Sequence, residues 1–175
     1  MSMALNVEVV AGNSISPSVR MEILALCRRA YGHELSFDAL TVEAHVIGYC
    51  DSHVVSHALW VTRWLQVAAG PLLRTAYVEA VATDPAYQQR GFATQILRTL
   101  AEAVQDYDLA ALCPAEDRLY LRLGWLCWKG PRFIRSATGR MPTLEETVMI
   151  LRLPRTPALD LSAPLSAEWR DGELW

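Results

Sequence analysis

The sequence predicts a mixed α/β domain on a central, mostly antiparallel sheet flanked by helices, and three observations carry that expectation. At 175 residues the chain can bury one good core and is short for two ordinary domains. Strand-length runs of β-branched and aromatic residues fill its first half, while segments 17–31 and 90–107 place apolar residues at helical spacing. The second of these helical segments lies between two strand-like runs, 73–83 and 109–113, an order that produces a parallel strand pair.

In chain order, residues 5–11 alternate apolar and polar side chains and form a first strand. Ser16 and Pro17 read as the N-cap and first position of a helix over 17–31, whose apolar face holds Val19, Ile23, Leu24 and Cys27 and which Gly32 ends. The polar stretch 32–38 is turn-like, with a second short helix starting at Ser36. Strands follow at 44–49 and 54–67 around an Asp51-Ser52 hairpin turn, and Gly70-Pro71 leads into the strand 73–83, giving an antiparallel meander. Phe92, Ile96, Leu97, Leu100 and Val104 mark the helix 90–107, which precedes a short buried strand at 109–113. A helix over 117–123 stops at Gly124, and 125–128 and 147–153 are the closing strands. The tail 154–175 contains tryptophans at 169 and 175, so it is expected to fold back onto the body.

Composition excludes several classes of function. A net charge of -3 with no Lys/Arg run argues against a nucleic-acid partner. No apolar stretch reaches the roughly 18 residues a membrane span needs, and the N-terminus lacks the pattern of a secretory signal. Four cysteines without paired spacing fit a reducing cytoplasm. His53 and His57 would stand about 13 Å apart on a strand, and His33 and His45 lack ligand partners at metal-binding spacing, so no metal is expected. Hydrolase, P-loop and Cys-x-x-Cys signatures are absent. Trp60 and Trp64, four apart on one strand, are expected to share a face along a substrate channel or a subunit contact.

The segment with the clearest chemistry is Gln88-Gln89-Arg90-Gly91-Phe92-Ala93, followed by Thr94, between a strand and a helix. It fits Q/R-x-x-G-x-G/A. Such a loop converges backbone N-H groups on one spot at a helix N-terminus and can hold a pyrophosphate with few basic side chains, while Gly91 allows close approach. Taken alone, the hexapeptide also fits an ordinary strand-to-helix turn.

Its context narrows the choice. The strand Tyr77-Val78-Glu79-Ala80-Val81-Ala82-Thr83, the glycine loop, the strand ending at Cys113 and the helix with Tyr120 before Gly124-Trp125 together resemble the GNAT acetyltransferase superfamily over about half of the chain. That resemblance implies acetyl-CoA as cosubstrate, its pyrophosphate held by residues 88–94. It also implies that Val81 offers a backbone N-H to the thioester carbonyl, that Thr83 pairs with the pantetheine arm, and that Tyr120 faces the sulfur. Acetyl transfer to an amine needs a base and an acid, and Glu79 and Tyr120 are the candidates, Glu79 acting directly or through a water. Strand alternation points Glu79 and Val81 to the same face unless a bulge intervenes.

A narrower resemblance, from about Tyr31 to the end, is to aminoglycoside 2'-N-acetyltransferases. It rests on Tyr77-Val78-Glu79-Ala80, Leu119-Tyr120, Gly124-Trp125, Trp128-Lys129-Gly130 and the tail Trp169-Arg170-x-Gly172-Glu173-x-Trp175. It implies an aminoglycoside substrate, a resistance role and a homodimer, with the tail folded toward the substrate cleft of a single domain spanning 1–175. Glu34 and Asp38 then bind ammonium groups, joined by Glu79, Glu173, the Trp175 carboxylate and Glu145 or Glu146, and Cys113 stands where the family usually has serine. Gly32-His33-Glu34-Leu35 departs from the family's Gly-Asp-Phe, so the substrate spectrum is expected to differ. Two other functions stay open: acetylation of another amine, such as a polyamine, a peptide N-terminus or a metabolite, and a non-catalytic acyl-CoA-binding module.

Overall fold

The computed structural model describes residues 4–143 and 146–175. Its elements are β1 (Asn6–Ala11), α1 (Pro17–Tyr31), β2 (Val42–Cys50), β3 (His53–Val67), β4 (Leu72–Thr83), α2 (Phe92–Ala103), β5 (Leu109–Leu112) and α3 (Arg118–Arg122), followed by β6 (Leu126–Cys127), β7 (Arg132–Ser136), β8 (Gly139–Thr143), β9 (Met149–Arg152) and β10 (Leu165–Glu168). Strands predominate and mix parallel with antiparallel pairing, the class that the sequence predicts. The chain gathers into two compact units. The first holds the described residues up to Val61 together with Val78–Ala103, and the second holds Thr62–Tyr77 with the described residues from Val104 onward. β3 and β4 therefore contribute to both.

In the first unit the strand order is β1-β2-β3-β4. Ser16 accepts from the Val19 N-H at the start of α1, Pro17 occupies the first turn, and Gly32 closes the helix in the left-handed region (φ 79°) while donating to the Arg28 carbonyl. Ile23, Leu26 and Cys27 are its buried positions. The β2-β3 hairpin turns at Asp51 and Ser52, both with positive φ. One residue later the ladder slips, since Tyr49 pairs with Val54 but Gly48 pairs with Ser56, leaving Val55 as the extra residue of a bulge. Gly48 leaves room there for the Leu5 and Ile96 side-chain ends, which would lie 3.0–3.2 Å from a Cβ and would have to give way to one.

In the second unit the order is β6-β9-β5-β4-β3-β10-β7-β8. β5 runs parallel to β4 from Thr75↔Leu109 to Tyr77↔Ala111 and antiparallel to β9, while β10 runs parallel to β7 and antiparallel to β3. Arg63, almost fully buried, donates from its two terminal nitrogens to the carbonyls of Leu174 (2.6 Å) and Glu168 (2.7 Å). Its guanidinium also lies over the rings of Tyr77 and Trp175. Trp175 is buried and donates from its indole to Thr143 Oγ1 (2.7 Å), which anchors the end of the tail within the second unit.

Three expectations are corrected. No helix forms at Ser36; instead Leu40 N-H closes a turn on the Phe37 carbonyl, and the Ser36 hydroxyl is bonded to Asp38. The helix begun in α2 stops at Ala103 rather than Tyr107. Past that point Asp106 and Asp108 both engage Arg74, and side chains that bond backbone and arginine in this way favour a turn. β7, β8 and β10 were not foreseen: β7 and β8 are five residues each, with Pro142 tolerated because among the described residues β8 pairs only with β7, and β10 is four residues inside the tail.

Arg63→Ala leaves two part-buried carbonyls of the tail without their donor and empties a buried site, so it is expected to lower unfolding stability by roughly 2–4 kcal/mol. It should also open residues near 169–175 to carboxypeptidase. Chemical denaturation and timed digestion measure both effects, and an unchanged midpoint with an intact tail contradicts the clamp.

Candidate active site

The decisive local feature in the first unit is Ala80, in the middle of the β4 signature strand, which adopts φ +52°. A non-glycine residue in the left-handed region costs on the order of 1–3 kcal/mol and persists only where its surroundings hold it. The kink breaks the simple alternation that would place Glu79 and Val81 on one face. The carbonyls at the kink and just after it are held by side chains. His57 Nδ1 lies 2.9 Å from the Ala80 carbonyl, and the Tyr31 hydroxyl, at the end of α1, donates to the Val81 carbonyl at 2.6 Å. Ser56 adds bonds to the Ala82 carbonyl and to Thr83 Oγ1 (2.8 Å). The Thr83 side chain is thus engaged with β3.

From Thr83 the chain passes through Asp84, a 3-10 turn at Pro85–Tyr87, and the glycine loop into α2. Asp84 caps that turn by accepting from the Ala86 N-H, pairs with Arg29 at 2.8 Å, and donates its own N-H to Val55. Gln88 donates to the Thr83 carbonyl, while Arg90 donates to the Ala86 carbonyl and lies over the Tyr87 ring, so loop side chains brace the loop itself. Gln89 (φ 62°) and Gly91 (φ 79°) both take left-handed conformations. No atom lies within 4 Å of where a Gly91 Cβ would sit, so the backbone there faces open space. The first bond of α2 is Gln95 N-H to the Gly91 carbonyl, so the amides of Phe92, Ala93 and Thr94 precede the helical ladder. Phe92 contributes only its backbone, since its ring is buried against Cys50, Val55, Leu5 and Tyr87. An anionic pyrophosphate fits this cradle of open backbone at a helix start.

The two acids after α1 are strongly exposed and each meets an arginine. Asp38 lies 2.6 Å from Arg20, and Glu34 lies 3.4 Å from Arg28. Between them Phe37 is buried, its ring stacked 6.2 Å from His57 and tilted 6.3 Å from His45.

In the second unit, Tyr120 on α3 is nearly buried and packs edge-on against Trp125 (5.8 Å). Burial pushes its phenol up to about 12, so it keeps its proton through neutral pH. Cys113 is a free thiol held above its ordinary value, first by burial and then by the charges of Glu146 and Glu173, against the opposing charge of Arg132 and a backbone bond at Thr147. Glu146 Oε2 is buried and has no hydrogen-bond partner among the described residues. Glu145 lies outside the described residues. A cavity of about 630 Å³ lined by Pro114, Ala115, Glu116, Asp117, Arg118 and Thr147 adds two carboxylates that sequence reasoning did not single out. Among the described residues, no group of three or more His, Cys, Asp or Glu side chains is arranged to hold a metal ion. Nor is any helix among them long and apolar enough to cross a membrane.

Sequence reasoning also missed His45 and His57. They are buried and bonded to each other, His45 Nδ1 to His57 Nε2, at 2.9 Å. Burial lowers His57 to about 3, helped by His45, and lowers His45 to about 4, helped by Arg20. Both rings are therefore neutral at pH 7. Trp60 is buried and Trp64 is exposed.

Comparison with known proteins gives these features a context. The profile described as Acetyltransferase (GNAT) domain matches residues 15–127. An aminoglycoside 2'-N-acetyltransferase from Mycolicibacterium fortuitum is 33% identical over 129 residues, covering 70% of this chain and 66% of that protein. Among solved structures, the GNAT family N-acetyltransferase YhbS from Escherichia coli, in complex with CoA, superposes with a TM-score of 0.64 at 17% identity, covering 95% of this chain and 91% of that one. Eis1 from Mycobacterium abscessus gives a TM-score of 0.60 at 19% identity over 70% of this chain and 31% of that one. The chain thus spans just under two thirds of the curated relative and about a third of Eis1.

The two histidines have folded-state values below the ordinary 6.5, so the unfolded chain binds more protons as pH falls through 6.5. Their stabilisation is complete above pH 6.5 and is lost progressively toward pH 4 to 3. Unfolding free energy is expected to drop by roughly 2 kcal/mol per histidine between pH 7 and pH 5, and less steeply in His45→Gln. A flat profile over that range in denaturant titrations contradicts the assignment of neutral buried rings.

Proposed function

Because this chain belongs to the GNAT acetyltransferase family, we propose that it transfers the acetyl group of acetyl-CoA to an amine of an aminoglycoside, the 2'-amine by preference. Residues 1–175 act in this proposal as one acetyltransferase domain. The observation that carries the substrate assignment is Glu146, whose buried carboxylate oxygen lacks a partner among the described residues and which, with Glu173, raises the Cys113 thiol. A buried carboxylate oxygen without a hydrogen bond is costly, and a substrate ammonium group offsets that cost alongside Arg132, whose charge also acts on Cys113. Their clustering supports a cationic sugar, as does the curated relative.

Acetyl-CoA, when bound, supplies an acetyl group activated as a thioester. The backbone amides of 88–94 hold its pyrophosphate, and the Val81 N-H faces the thioester carbonyl. Glu79 takes a proton from the attacking amine, directly or through a water, as the new N-C bond forms. Tyr120 holds a proton at Oη and gives it to the sulfur as the C-S bond breaks; the high phenol value keeps that proton available at neutral pH. Transfer is direct. Cys113 is held as a thiol and is not an acetyl carrier. Asp38 and Glu34 exchange their exposed arginine partners for substrate ammonium groups, an exchange that exposed pairs permit at small cost.

Those same arginine pairs favour a second possibility, a smaller amine with fewer positive charges that uses only Glu146 and Glu173.

Release of CoA thiol with aminoglycosides bearing or lacking a 2'-amine, and with spermidine and a short peptide, separates the two. Turnover is expected with 2'-amino compounds. Tyr120→Phe should lower kcat by about 10²-fold or more, Glu79→Gln by at least about tenfold, and Glu146→Gln should mainly raise KM for the aminoglycoside. Full turnover in both Tyr120→Phe and Glu79→Gln overturns the roles, and turnover with spermidine or peptide alone overturns the substrate.

A further inference from the structure

The first unit contains a buried polar chain that the proposed chemistry does not use. It runs from His45 through His57 to the carbonyl of Ala80, and its tautomers are set by the bonding capacity of each atom. The Ala80 carbonyl can only accept, so His57 Nδ1 carries the hydrogen. His57 is neutral, so its Nε2 is then an acceptor, and His45 Nδ1 must donate to it. Every link is directed toward Ala80.

The geometry explains why a histidine is there. At the left-handed Ala80 the carbonyl is met by the His57 ring, and a part-buried carbonyl left without a donor carries a cost. His57 is fully buried and supplies that donor, while the Phe37 ring stacks on its face and His45 fixes its far nitrogen. The ring is therefore held on three sides: by Ala80, His45 and Phe37. The Val55 bulge is what makes the pair possible. With the register set by the turn, His45 would oppose Ala58 and His57 would face the other side of the hairpin; after the extra residue, His45 opposes Leu59 and shares its face with His57.

We propose that His57 is a positioning residue for acetyl transfer: its Nδ1-H holds the Ala80 carbonyl, and thereby keeps the kinked backbone at 80–81 in the conformation that aims the Val81 amide. The inference rests on the assignment of Val81 as donor to the thioester carbonyl. His57 touches neither substrate nor cosubstrate. Its action runs through one backbone carbonyl, and the residue at 57 must present a hydrogen where Nδ1 stands.

Asparagine places an amide N-H near the Nδ1 position, glutamine places one near Nε2, and leucine has none. The test compares His57→Leu, His57→Gln and His57→Asn with the unaltered chain, using thiol-release kinetics, the Kd for CoA and amide hydrogen exchange across 79–83. The expected result is a kcat at least tenfold lower in His57→Leu and His57→Gln, a CoA Kd within threefold of the parent, faster exchange at 80–82, and recovery to within threefold of the parent in His57→Asn. His57→Gln keeps a polar side chain in place, so it remains informative if His57→Leu does not fold. A kcat within threefold of the parent in His57→Gln overturns the proposal, as does an equal loss in His57→Asn, which would show a packing role. If the parent chain turns over no amine, the acetyl-transfer reading fails by itself. Exchange at 80–82 then decides the brace: protection lost in His57→Gln and kept in His57→Asn supports it, and unchanged protection in both overturns it.

Discussion

The left-handed kink at Ala80 is the constraint on which the first unit's functional features depend. A strand bonded only to its neighbours directs its amides along the ladder, and redirecting one of them requires a local break in that ladder. The break exposes carbonyls that need donors, and His57, Tyr31 and Ser56 supply them from two different elements, β3 and α1. The chain beyond the kink is fixed in turn. Asp84 is tied to Val55 and Arg29, and the glycine loop begins from that anchored point. The Val55 bulge and the Ala80 kink are therefore coupled: Val55 brings the histidines onto one face and accepts from Asp84, and Ala80 receives the bond that the histidines deliver.

Charge is distributed with a similar division of labour. Glu34 and Asp38 sit in water and hold arginines, in pairs of the kind worth about 0–1 kcal/mol, so they can change partners freely. Glu146 has a buried oxygen without a hydrogen-bond partner among the described residues, which is a standing cost in the folded chain. In the proposed function Glu34 and Asp38 can exchange their arginines for substrate ammonium groups, while Glu146 gains a partner for its buried oxygen. The tail in the second unit is secured by Arg63, and Glu173 comes just before Leu174, whose carbonyl Arg63 holds.

Much of this was legible in the residues. The Ser16-Pro17 start and Gly32 stop of α1, the Asp51-Ser52 turn and the Gly91 loop are local signals, and local chemistry suffices to read them. The features that the sequence did not disclose depend on register. His45 and His57 are twelve apart, and their meeting hangs on one extra residue at Val55 that nothing in the string His53-Val54-Val55-Ser56-His57 marks. The kink at Ala80 could be anticipated only as something that would upset alternation, because alanine carries no signal for a positive φ. The short strands β7, β8 and β10 were hidden for another reason: arginine, proline and serine break their pattern, and only pairing partners distant in sequence make them strands.

Backbone amide spectra of selectively 15N-labelled chain, recorded with CoA and then with acetyl-CoA, test the central claim most directly. If the Ala80 kink aims the Val81 amide at the acetyl carbonyl and the Gly91 loop takes the pyrophosphate, the amides near Gly91 shift equally with both compounds, and Val81 shifts further only with acetyl-CoA. A Val81 resonance that responds identically to the two, while the Gly91 loop saturates, would contradict the account.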